Sequence, residues 1–210
     1  MAVTRLARWW EDSVLPVLID LACGQKALRP YRREACDGLS GTVLEIGFGS
    51  GLNLPFLPAD VDRLLVVEPH EKGMQLAAQR IEACPAPVEP VGRDGAALPL
   101  TDGSVDAVLC TFTLCTIPDV EHALSEVHRV LRPGGTFHYL EHGRSDIGYV
   151  HRLQRVWEPA QRRLFGGCHL TRSAPELVEA AGLRHVSQRG WAEFPRLINT
   201  MSLGVAVKPA

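Results

Sequence analysis

The fold is decided by residues 44–53, which read Leu44-Glu45-Ile46-Gly47-Phe48-Gly49-Ser50-Gly51-Leu52-Asn53. A β-branched run precedes this stretch and a short helical pattern near residues 52–56 follows it, so the stretch is predicted to turn from a strand into a helix. Glycine has no Cβ atom, so three glycines let the backbone turn tightly and approach a ligand closely. The pattern is E-x-G-x-G-x-G rather than the dinucleotide pattern G-x-G-x-x-G. Because many βα turns contain glycine, the motif alone does not define a ligand.

The sequence after residue 41 alternates short apolar runs with amphipathic stretches, which is typical of βαβ units around a parallel sheet. We therefore predict a single-domain α/β fold with a doubly wound, seven-stranded sheet. The predicted strands are 42–46, 63–68, 88–91, 104–112, 136–141, 183–189 and 201–207, and the predicted helices are 71–83, 120–131, 149–165 with an interruption at Pro159, and 174–181. Two further helices are predicted within residues 5–38. We assign residues 1–40 to a helical lid over the site and residues 41–210 to the main domain.

Composition excludes several classes of protein. A chain of 210 residues is long enough for one α/β domain and too short for two. With 46% hydrophobic residues it is not disordered, and a net charge of -2 provides no basic field for nucleic acid. The longest apolar stretch near the N-terminus, residues 14–23, is about half the length that spans a bilayer. There is no pattern of a secretory signal, so we expect a cytoplasmic location.

The six cysteines are predicted to be free thiols. They are Cys23, Cys36, Cys84, Cys110, Cys115 and Cys168, and they form no C-x-x-C pair and no Cys/His cluster with the spacing of a zinc site. We therefore predict no metal site. Thiol relay or metalloid binding by Cys115 and Cys168, as in arsenic methylation, is the less favoured interpretation because buried cysteines are common.

Two acids extend the pattern of the glycine turn. Glu68 follows the second predicted strand, where a carboxylate can accept hydrogen bonds from both hydroxyls of a ribose. Asp94 follows the third strand, where a carboxylate can accept a hydrogen bond from the exocyclic amine of adenine. A dinucleotide site would also place an acid at Glu68, and Asp94 by itself is typical of a turn. The glycine turn and the two acids in this order are difficult to explain by chance.

These residues, with two further motifs, resemble the class I S-adenosylmethionine-dependent methyltransferases across about residues 40–142. The further motifs are Ser104-Val105-Asp106-Ala107-Val108 and Leu131-Arg132-Pro133-Gly134-Gly135. The resemblance implies S-adenosylmethionine as the cofactor and the strand order 3-2-1-4-5-7-6 with the last strand antiparallel. The cofactor-binding residues that it implies are Glu45, Gly47, Gly49, Gly51, Asn53, Glu68, Pro69, Asp94, Gly95, Ala96, Cys110, Thr111 and Cys115.

A narrower resemblance extends to the C-terminal part of the chain. The quoted residues are Cys110-Thr111, Leu114-Cys115, Tyr139-Leu140-Glu141-His142 and Leu164-Phe165-Gly166-Gly167-Cys168-His169-Leu170-Thr171-Arg172. They are similar to the methyltransferase-like 7 group, the membrane-associated thiol S-methyltransferases of animals, and to bacterial relatives. The animal proteins carry a long hydrophobic anchor, whereas this chain has a short Arg-flanked segment over residues 5–21. We favour a lid packed on the protein over contact of this segment with a membrane surface.

Three residues are candidates for catalysis. Methyl transfer requires mainly that the reacting atoms are aligned and water is excluded. A thiol with an ordinary pKa of about 8.5 is mostly protonated at pH 7, so a base or a cation would help. His142 is the first candidate, as a base or a polar contact to the acceptor. His169 and Arg172 follow, with Arg172 suited to an anionic substrate or a thiolate. Structural roles stay open for all three.

Other residues have structural or functional interpretations. Asp119 is predicted to cap the helix that begins at residue 120, because an aspartate there can accept a backbone hydrogen bond. The aromatic residues Trp9, Trp10, Tyr31, Trp157 and Trp191 are predicted to form either an apolar substrate chamber or part of the core.

The leading functional hypothesis is a methyltransferase for a small molecule, with an apolar thiol as the acceptor and no nucleic-acid partner. The first alternative is a quinone-precursor or phospholipid methyltransferase, because these branches share the core motifs. The alternative from another class is a cofactor-binding regulatory module without catalysis. A dehydrogenase is disfavoured by the glycine spacing and by Asp94.

Overall fold

The computed structural model of the protein describes residues 10–193, 195 and 200–210. Within these residues, six α-helices pack around one seven-stranded sheet. The helices are α1 (Leu15–Cys23), α2 (Arg29–Cys36), α3 (Glu71–Glu82), α4 (Val120–Val130), α5 (Gly148–Leu164) and α6 (Ala174–Ala180). The strands are β1 (Gly41–Ile46), β2 (Val61–Val67), β3 (Val88–Gly92), β4 (Val105–Thr111), β5 (Leu131–His142), β6 (Arg184–Ala192) and β7 (Thr200–Val207).

The strand order is β3-β2-β1-β4-β5-β7-β6. Strands β1 to β5 pair in parallel, and β7 lies antiparallel to both β5 and β6. This order confirms the doubly wound, seven-stranded prediction. The order reverses between β1 and β4, and in open α/β sheets ligands bind outside the carboxyl ends of the strands at such a point. The glycine turn follows β1 directly, so it lies at this crevice.

The central strands are buried on both faces because helices cover the sheet on each side. In β1, Leu44 and Ile46 face a cluster that includes α4 and α6, while Val43 faces a cluster that includes α2 and α3. The same alternation continues in β4, where Val108 and Leu109 point to opposite faces. Apolar side chains on both faces explain why these strands read as continuous hydrophobic runs.

Two elements differ from their predicted bounds. Strand β5 begins at Leu131 instead of residue 136, because Leu131 already pairs with Val105 at the end of α4. Helix α5 continues through Pro159 without interruption. Proline removes one helical hydrogen bond, but Pro159 and Arg155 both lie on the exposed side, where water can replace the lost bond. The cap prediction is confirmed, since the Asp119 carboxylate accepts a hydrogen bond from the His122 N–H at 3.1 Å.

Helices α1 and α2 precede the sheet, as predicted for residues 5–38. Helix α1 contacts the glycine turn through Asp20, whose carboxylate accepts a hydrogen bond from the Ser50 hydroxyl. The same carboxylate accepts a hydrogen bond from Arg80 of α3. Trp9 and the rest of residues 1–9 lie outside the described residues. In the part of the chain that is described, none of the helices combines the length and apolar character needed to cross a bilayer.

Candidate active site

The glycine turn after β1 requires backbone conformations that favour glycine. Gly47, Gly49 and Gly51 have φ angles of 74°, 56° and 73°. A Cβ atom on Gly47 would collide with the side chain of Thr113. A Cβ atom on Gly49 would have no neighbour nearer than 4.0 Å, because this position borders an open cavity. The first glycine therefore permits close packing, and the second keeps the cavity free.

A cavity of about 440 Å³ opens beside this turn, and we call it the cofactor cavity. It is bounded by the ends of β1, β2 and β4, as the strand order predicts. The predicted cofactor residues that line it are Glu45, Gly47, Gly49, Asn53, Glu68, Pro69, Asp94, Gly95 and Thr111. The glycine turn, Glu68 and Asp94, which are separate motifs in the sequence, thus lie around the same cavity.

The two predicted acids lie at the rim of the cofactor cavity. Glu68 accepts hydrogen bonds from the N–H groups of Gly49 at 2.6 Å and His70 at 2.9 Å. These bonds fix the carboxylate beside the glycine turn, and each carboxylate oxygen has a second lone pair to offer a hydroxyl. The Asp94 carboxylate accepts a hydrogen bond from the Ala96 N–H at 2.9 Å. Asp94 therefore stabilises the turn in which it lies and also lines the cavity.

A buried polar network forms the floor of the cofactor cavity, and sequence reasoning missed its central residue, Arg32. The Arg32 guanidinium donates to Asn53 at 2.7 Å and to Thr111 at 3.0 Å, and Asn53 donates to Glu45 at 2.7 Å. Burial raises the pKa of Glu45 to about 8, although its bond to Asn53 opposes this shift. Arg32 lies in a polar helix together with Arg29 and Arg33, so the sequence contained no signal that distinguishes it from them.

The remaining predicted cofactor residues do not line the cofactor cavity. Gly51 packs where a Cβ would crowd Leu54, and Ala96 is held by the Asp94 turn. Cys110 is buried in β4, and its thiol lies 3.6 Å from Glu141. Cys115 lines a different cavity, described next.

A second cavity of about 360 Å³ shares a wall with the first, and we call it the acceptor cavity. The residues that line both cavities are Leu15, Ile19, Cys23, Phe112, Thr116 and Phe165. The remaining wall is mostly apolar and includes Leu18, Leu28, Tyr31, Trp191 and Met201. Tyr31 and Trp191 therefore belong to the predicted aromatic chamber, whereas Trp157 is exposed on α5. No Arg or Lys among the described residues lines this cavity.

Three potential ligands or nucleophiles meet at the wall of the acceptor cavity. Cys115 Sγ, His142 and Cys168 Sγ lie within 4.8 Å of one another, and Cys168 Sγ is 2.9 Å from His142 Nε2. The hydrogen bonds from Cys115 and His142 hold the pKa of Cys168 well below its usual range, against the effect of burial. Burial alone would lower the pKa of His142, but the contact with Cys168 raises it.

Cys168 reaches this position because the segment of residues 165–172 is bonded to the loop that follows β4. The N–H of His169 donates to the carbonyl of Cys115 at 2.8 Å. The Arg172 guanidinium donates to the carbonyls of Leu114 and Ile117, both at 2.7 Å. Of the catalytic candidates, His142 therefore lines the acceptor cavity, whereas His169 and Arg172 line neither cavity.

Glu158 of α5 holds the other side of this segment. Its carboxylate is hydrogen-bonded to His169 Nδ1 at 3.0 Å. It also accepts hydrogen bonds from the Thr171 N–H, at 2.9 Å, and from the Thr171 hydroxyl. The His169 ring thus bonds α5 instead of facing a ligand. Its position matches a structural role, in which it holds residues 165–172 against α5.

Glu141 and Phe112 are further site residues without a predicted role. Glu141 is fully buried and accepts the N–H groups of Thr113 at 2.7 Å and Leu114 at 2.9 Å, so it fixes the loop that carries Cys115. Phe112 has a φ of 57°, a strained conformation for a non-glycine residue, and lines both cavities. An acid at the end of an apolar strand was the available signal for Glu141.

The cofactor cavity fits S-adenosylmethionine in the features that the chain itself supplies. The position of Gly49 leaves space that a side chain would fill, and Glu45 Oε2 is buried with no hydrogen-bond partner among the described residues. Carboxylates at Glu45, Glu68 and Asp94 around one cavity suit a ligand that carries a cation, hydroxyls and an amine. The fold and this cavity define a class I methyltransferase.

Comparisons with known proteins agree with this class. Residues 44–139 match the family described as methyltransferase domain. The chain is 34% identical over 179 residues to the human thiol S-methyltransferase TMT1A, covering 80% of this chain and 70% of that protein. It is 31% identical over 161 residues to a phosphatidylethanolamine N-methyltransferase of Cereibacter sphaeroides, covering 74% and 75%. Matches to the TMT1B thiol S-methyltransferases of rat, human and mouse span 64%, 61% and 66% of those proteins, less than two thirds of their length.

The fold also has a close structural neighbour. An S-adenosylmethionine-dependent methyltransferase of Thermotoga maritima superimposes with a TM-score of 0.69 at 20% identity, covering 97% of this chain and 100% of that one. The chain belongs to the class I S-adenosylmethionine-dependent methyltransferases and is a homologue of the TMT1 thiol S-methyltransferases. It is thus an enzyme that uses S-adenosylmethionine.

Proposed function

We propose that this methyltransferase transfers the methyl group to the sulfur of a small apolar thiol. The observation that carries the proposal is the acceptor cavity, which is apolar, adjoins the cofactor cavity and contains the His142–Cys168 pair in its wall. The similarity to proteins named thiol S-methyltransferases supports the same acceptor.

The acceptor cavity favours an apolar substrate without negative charge. The acid in its wall, Glu193, accepts a hydrogen bond from the Tyr31 hydroxyl at 2.9 Å. The cavity wall also includes Leu15, Leu18, Leu28 and Met201, and burial of apolar surface there contributes about 25 cal/mol per Å² to binding. A phospholipid headgroup would place a phosphate near the site, and phosphates are usually bound by Arg or Lys. The cavity wall has neither among the described residues, which favours a thiol over the phospholipid alternative.

When bound, S-adenosylmethionine supplies a methyl group on a positively charged sulfonium sulfur. The chain aligns the acceptor with that group and excludes water. Residues shared by the two cavities, such as Leu15, Phe112 and Phe165, form the apolar surroundings of the junction. Apolar walls suit this reaction because the charge of the reactants disappears during the transfer.

Among the predicted catalytic residues, we assign the contact with the acceptor to His142. Its ring lies in the wall of the acceptor cavity beside Cys168. His169 and Arg172 are proposed as positioning residues, because their side chains bond Glu158 and the carbonyls of Leu114 and Ile117. They act by holding residues 165–172 in place. A cytoplasmic location and the lack of a nucleic-acid partner stay predictions from composition and charge.

The test is a transfer assay with methyl-labelled S-adenosylmethionine. The acceptors are a matched alkyl thiol, aryl thiol, phenol, amine and phospholipid, with products identified by mass. Methylated product on the thiols, and little on the isosteric phenol and amine, is the expected result. Turnover on phenols or amines but on no thiol would refute the proposal, and turnover only with phospholipid vesicles would favour the phospholipid alternative.

A binding experiment separates an inactive protein from an untested acceptor. Isothermal titration with S-adenosylhomocysteine measures the cofactor cavity independently of transfer. The variant Gly49→Val serves as a negative control, since its side chain would enter the cofactor cavity. Binding without transfer to any acceptor would support the regulatory module instead.

A further inference from the structure

We propose that Cys115, His142 and Cys168 form a Zn²⁺ site whose free coordination position faces the acceptor cavity. The inference rests on the proposed function for its catalytic role, but the metal site itself does not. Zinc sites of catalytic type use three protein ligands and leave the fourth position to water or substrate, and a set of two cysteines and one histidine is an established example. Soft thiolate ligands select Zn²⁺ over harder cations.

The geometry of the three side chains is close to that of a zinc site. Zn–S bonds of about 2.3 Å and a Zn–N bond of about 2.0 Å place tetrahedral ligand atoms about 3.5–3.8 Å apart. The three ligand atoms lie within 4.8 Å of one another, and Cys168 Sγ is 2.9 Å from His142 Nε2. Shifts of about 1 Å or less therefore complete the arrangement.

The surrounding structure fixes the two cysteine ligands. Cys115 follows Leu114, whose N–H is bound by the buried carboxylate of Glu141. The carbonyl of Cys115 is bound by the N–H of His169, which directly follows Cys168. The sulfur of Cys168 also lies 3.8 Å from the Gln161 amide. Such outer contacts orient metal ligands and are needed for tight binding.

The protein alone leaves this cluster incompletely satisfied. His142 Nδ1 is buried and has no hydrogen-bond partner among the described residues. The nitrogen that faces Cys168 is Nε2, so Nε2 would coordinate the ion and the ring proton would stay on Nδ1. All three ligands line the acceptor cavity, so a bound ion would be accessible from it.

The chemistry of the site matches the needs of a thiol acceptor. A thiol that coordinates a metal ion loses its proton, because the ion stabilises the thiolate. The S–H bond breaks, the proton passes to solvent, and the sulfur lone pair binds the ion. This thiolate then forms the new bond to the methyl carbon, while the bond from that carbon to the sulfonium sulfur breaks and its electron pair stays on the sulfonium sulfur. No net oxidation or reduction takes place.

The first experiment measures metal binding by the whole chain, without substrate. The protein is reduced, stripped with a chelator, titrated with Zn²⁺ and desalted, and the bound zinc is counted by elemental analysis. Co²⁺ is used as a spectroscopic probe, because thiolate ligands give it a charge-transfer absorption. The expected result is one zinc per chain and a thiolate-to-cobalt band. Failure to retain zinc, or a cobalt spectrum without thiolate bands, would overturn the site.

Single substitutions identify the ligands. We expect Cys115→Ser, Cys168→Ser and His142→Gln each to weaken zinc binding at least tenfold. The matched control is Cys84→Ser, which removes a cysteine outside both cavities and should leave zinc binding unchanged. Titration with S-adenosylhomocysteine verifies that each variant is folded, since none of the ligands lines the cofactor cavity. Equal zinc binding by a folded Cys168→Ser variant and the parent would contradict the assignment.

The catalytic role is tested on the same samples. If the ion activates the acceptor, the metal-free enzyme should methylate thiols at least tenfold more slowly at pH 7, and Zn²⁺ should restore the rate. An undiminished rate without metal would overturn that role. If zinc binds through these ligands but no thiol is methylated, the proposed function fails and the metal site stands.

Discussion

The two cavities of this enzyme are built in different ways. The cofactor cavity lies at the ends of β1, β2 and β4, so its residues follow strands in a regular order along the chain. The acceptor cavity is built from α1, the loop after β4 and residues 165–168, which come together only through contacts between distant segments. The first cavity is formed mainly by the ends of the strands, and the second mainly by segments outside the sheet. Substitutions at residues that line only one of the two cavities should therefore affect them separately.

The largest expected effect is on the buried polar network at the floor of the cofactor cavity. Arg32→Met leaves the buried Asn53 Oδ1 without its donor and removes the cation beside the buried Glu45. This should lower the free energy of unfolding by about 3–5 kcal/mol. Urea unfolding measures the loss. The neighbouring Arg33→Met, on the exposed side of α2, is the control and should change stability by less than about 0.5 kcal/mol. A stable Arg32→Met protein would show that the network is dispensable.

The next effect isolates the cofactor cavity. Gly49→Val places a β-branched side chain at a φ of 56° and into the cavity, so we expect cofactor affinity to fall at least 100-fold. Calorimetric titration measures the affinity. Gly148→Ala, where a Cβ would meet nothing within 4 Å, is the matched control with unchanged binding. If Gly49→Val bound the cofactor with wild-type affinity, the cofactor site could not lie at this turn.

Glu68 tests the rim of the same cavity. Removal of its carboxylate in Glu68→Ala should weaken cofactor binding by about 1–3 kcal/mol, because charged hydrogen bonds contribute in that range. The same titration measures the change, with Glu82→Ala at the exposed end of α3 as the control. If both Glu68→Ala and Gly49→Val bind the cofactor with wild-type affinity, the assignment of the cofactor site is wrong.

Arg172 tests the acceptor cavity independently. Arg172→Met leaves the carbonyls of Leu114 and Ile117 without their donor and should release residues 165–172 from the loop that carries Cys115. We expect kcat/KM for the acceptor to fall about tenfold, since one lost buried interaction of this kind costs about 1–3 kcal/mol. Cofactor affinity should change less than kcat/KM, because only the edge of the cofactor cavity at Ile117 and Phe165 is affected. A change in cofactor affinity alone would contradict the separation of the two cavities.

The smallest expected effect concerns the hydrogen bonds of Glu126 in α4. Glu126 bonds Arg129 and the N–H of Leu98, and the bond to Arg129 lowers its pKa to about 2. A carboxyl whose pKa falls on folding stabilises the folded state above the unfolded pKa of about 4.3, and this contribution is lost as the pH falls towards 2. Glu126→Gln should cost about 1–2 kcal/mol at pH 7 and progressively less below pH 4. Urea unfolding at several pH values measures this, and a pH-independent cost would refute it.

The comparison of the two cavities also explains which features were predictable. The glycine turn, the strands and Glu68 and Asp94 were found because each depends on local spacing. A βα unit places a strand, a turn and a helix in sequence, so residues at the strand ends must meet at one edge of the sheet. The strand order followed from the resemblance and is confirmed by the pairing of β7 with β5 and β6.

The sequence by itself therefore determined the class of fold and the position of the cofactor cavity. Only the tertiary structure decided that Arg32 lies under the glycine turn, that Arg172 binds backbone carbonyls, and that Cys115, His142 and Cys168 meet. The last three residues lie 26 or more positions apart, and no local periodicity relates them. Their proximity results from the hydrogen bonds between residues 165–172 and the loop after β4, which are long-range contacts that local conformation does not set.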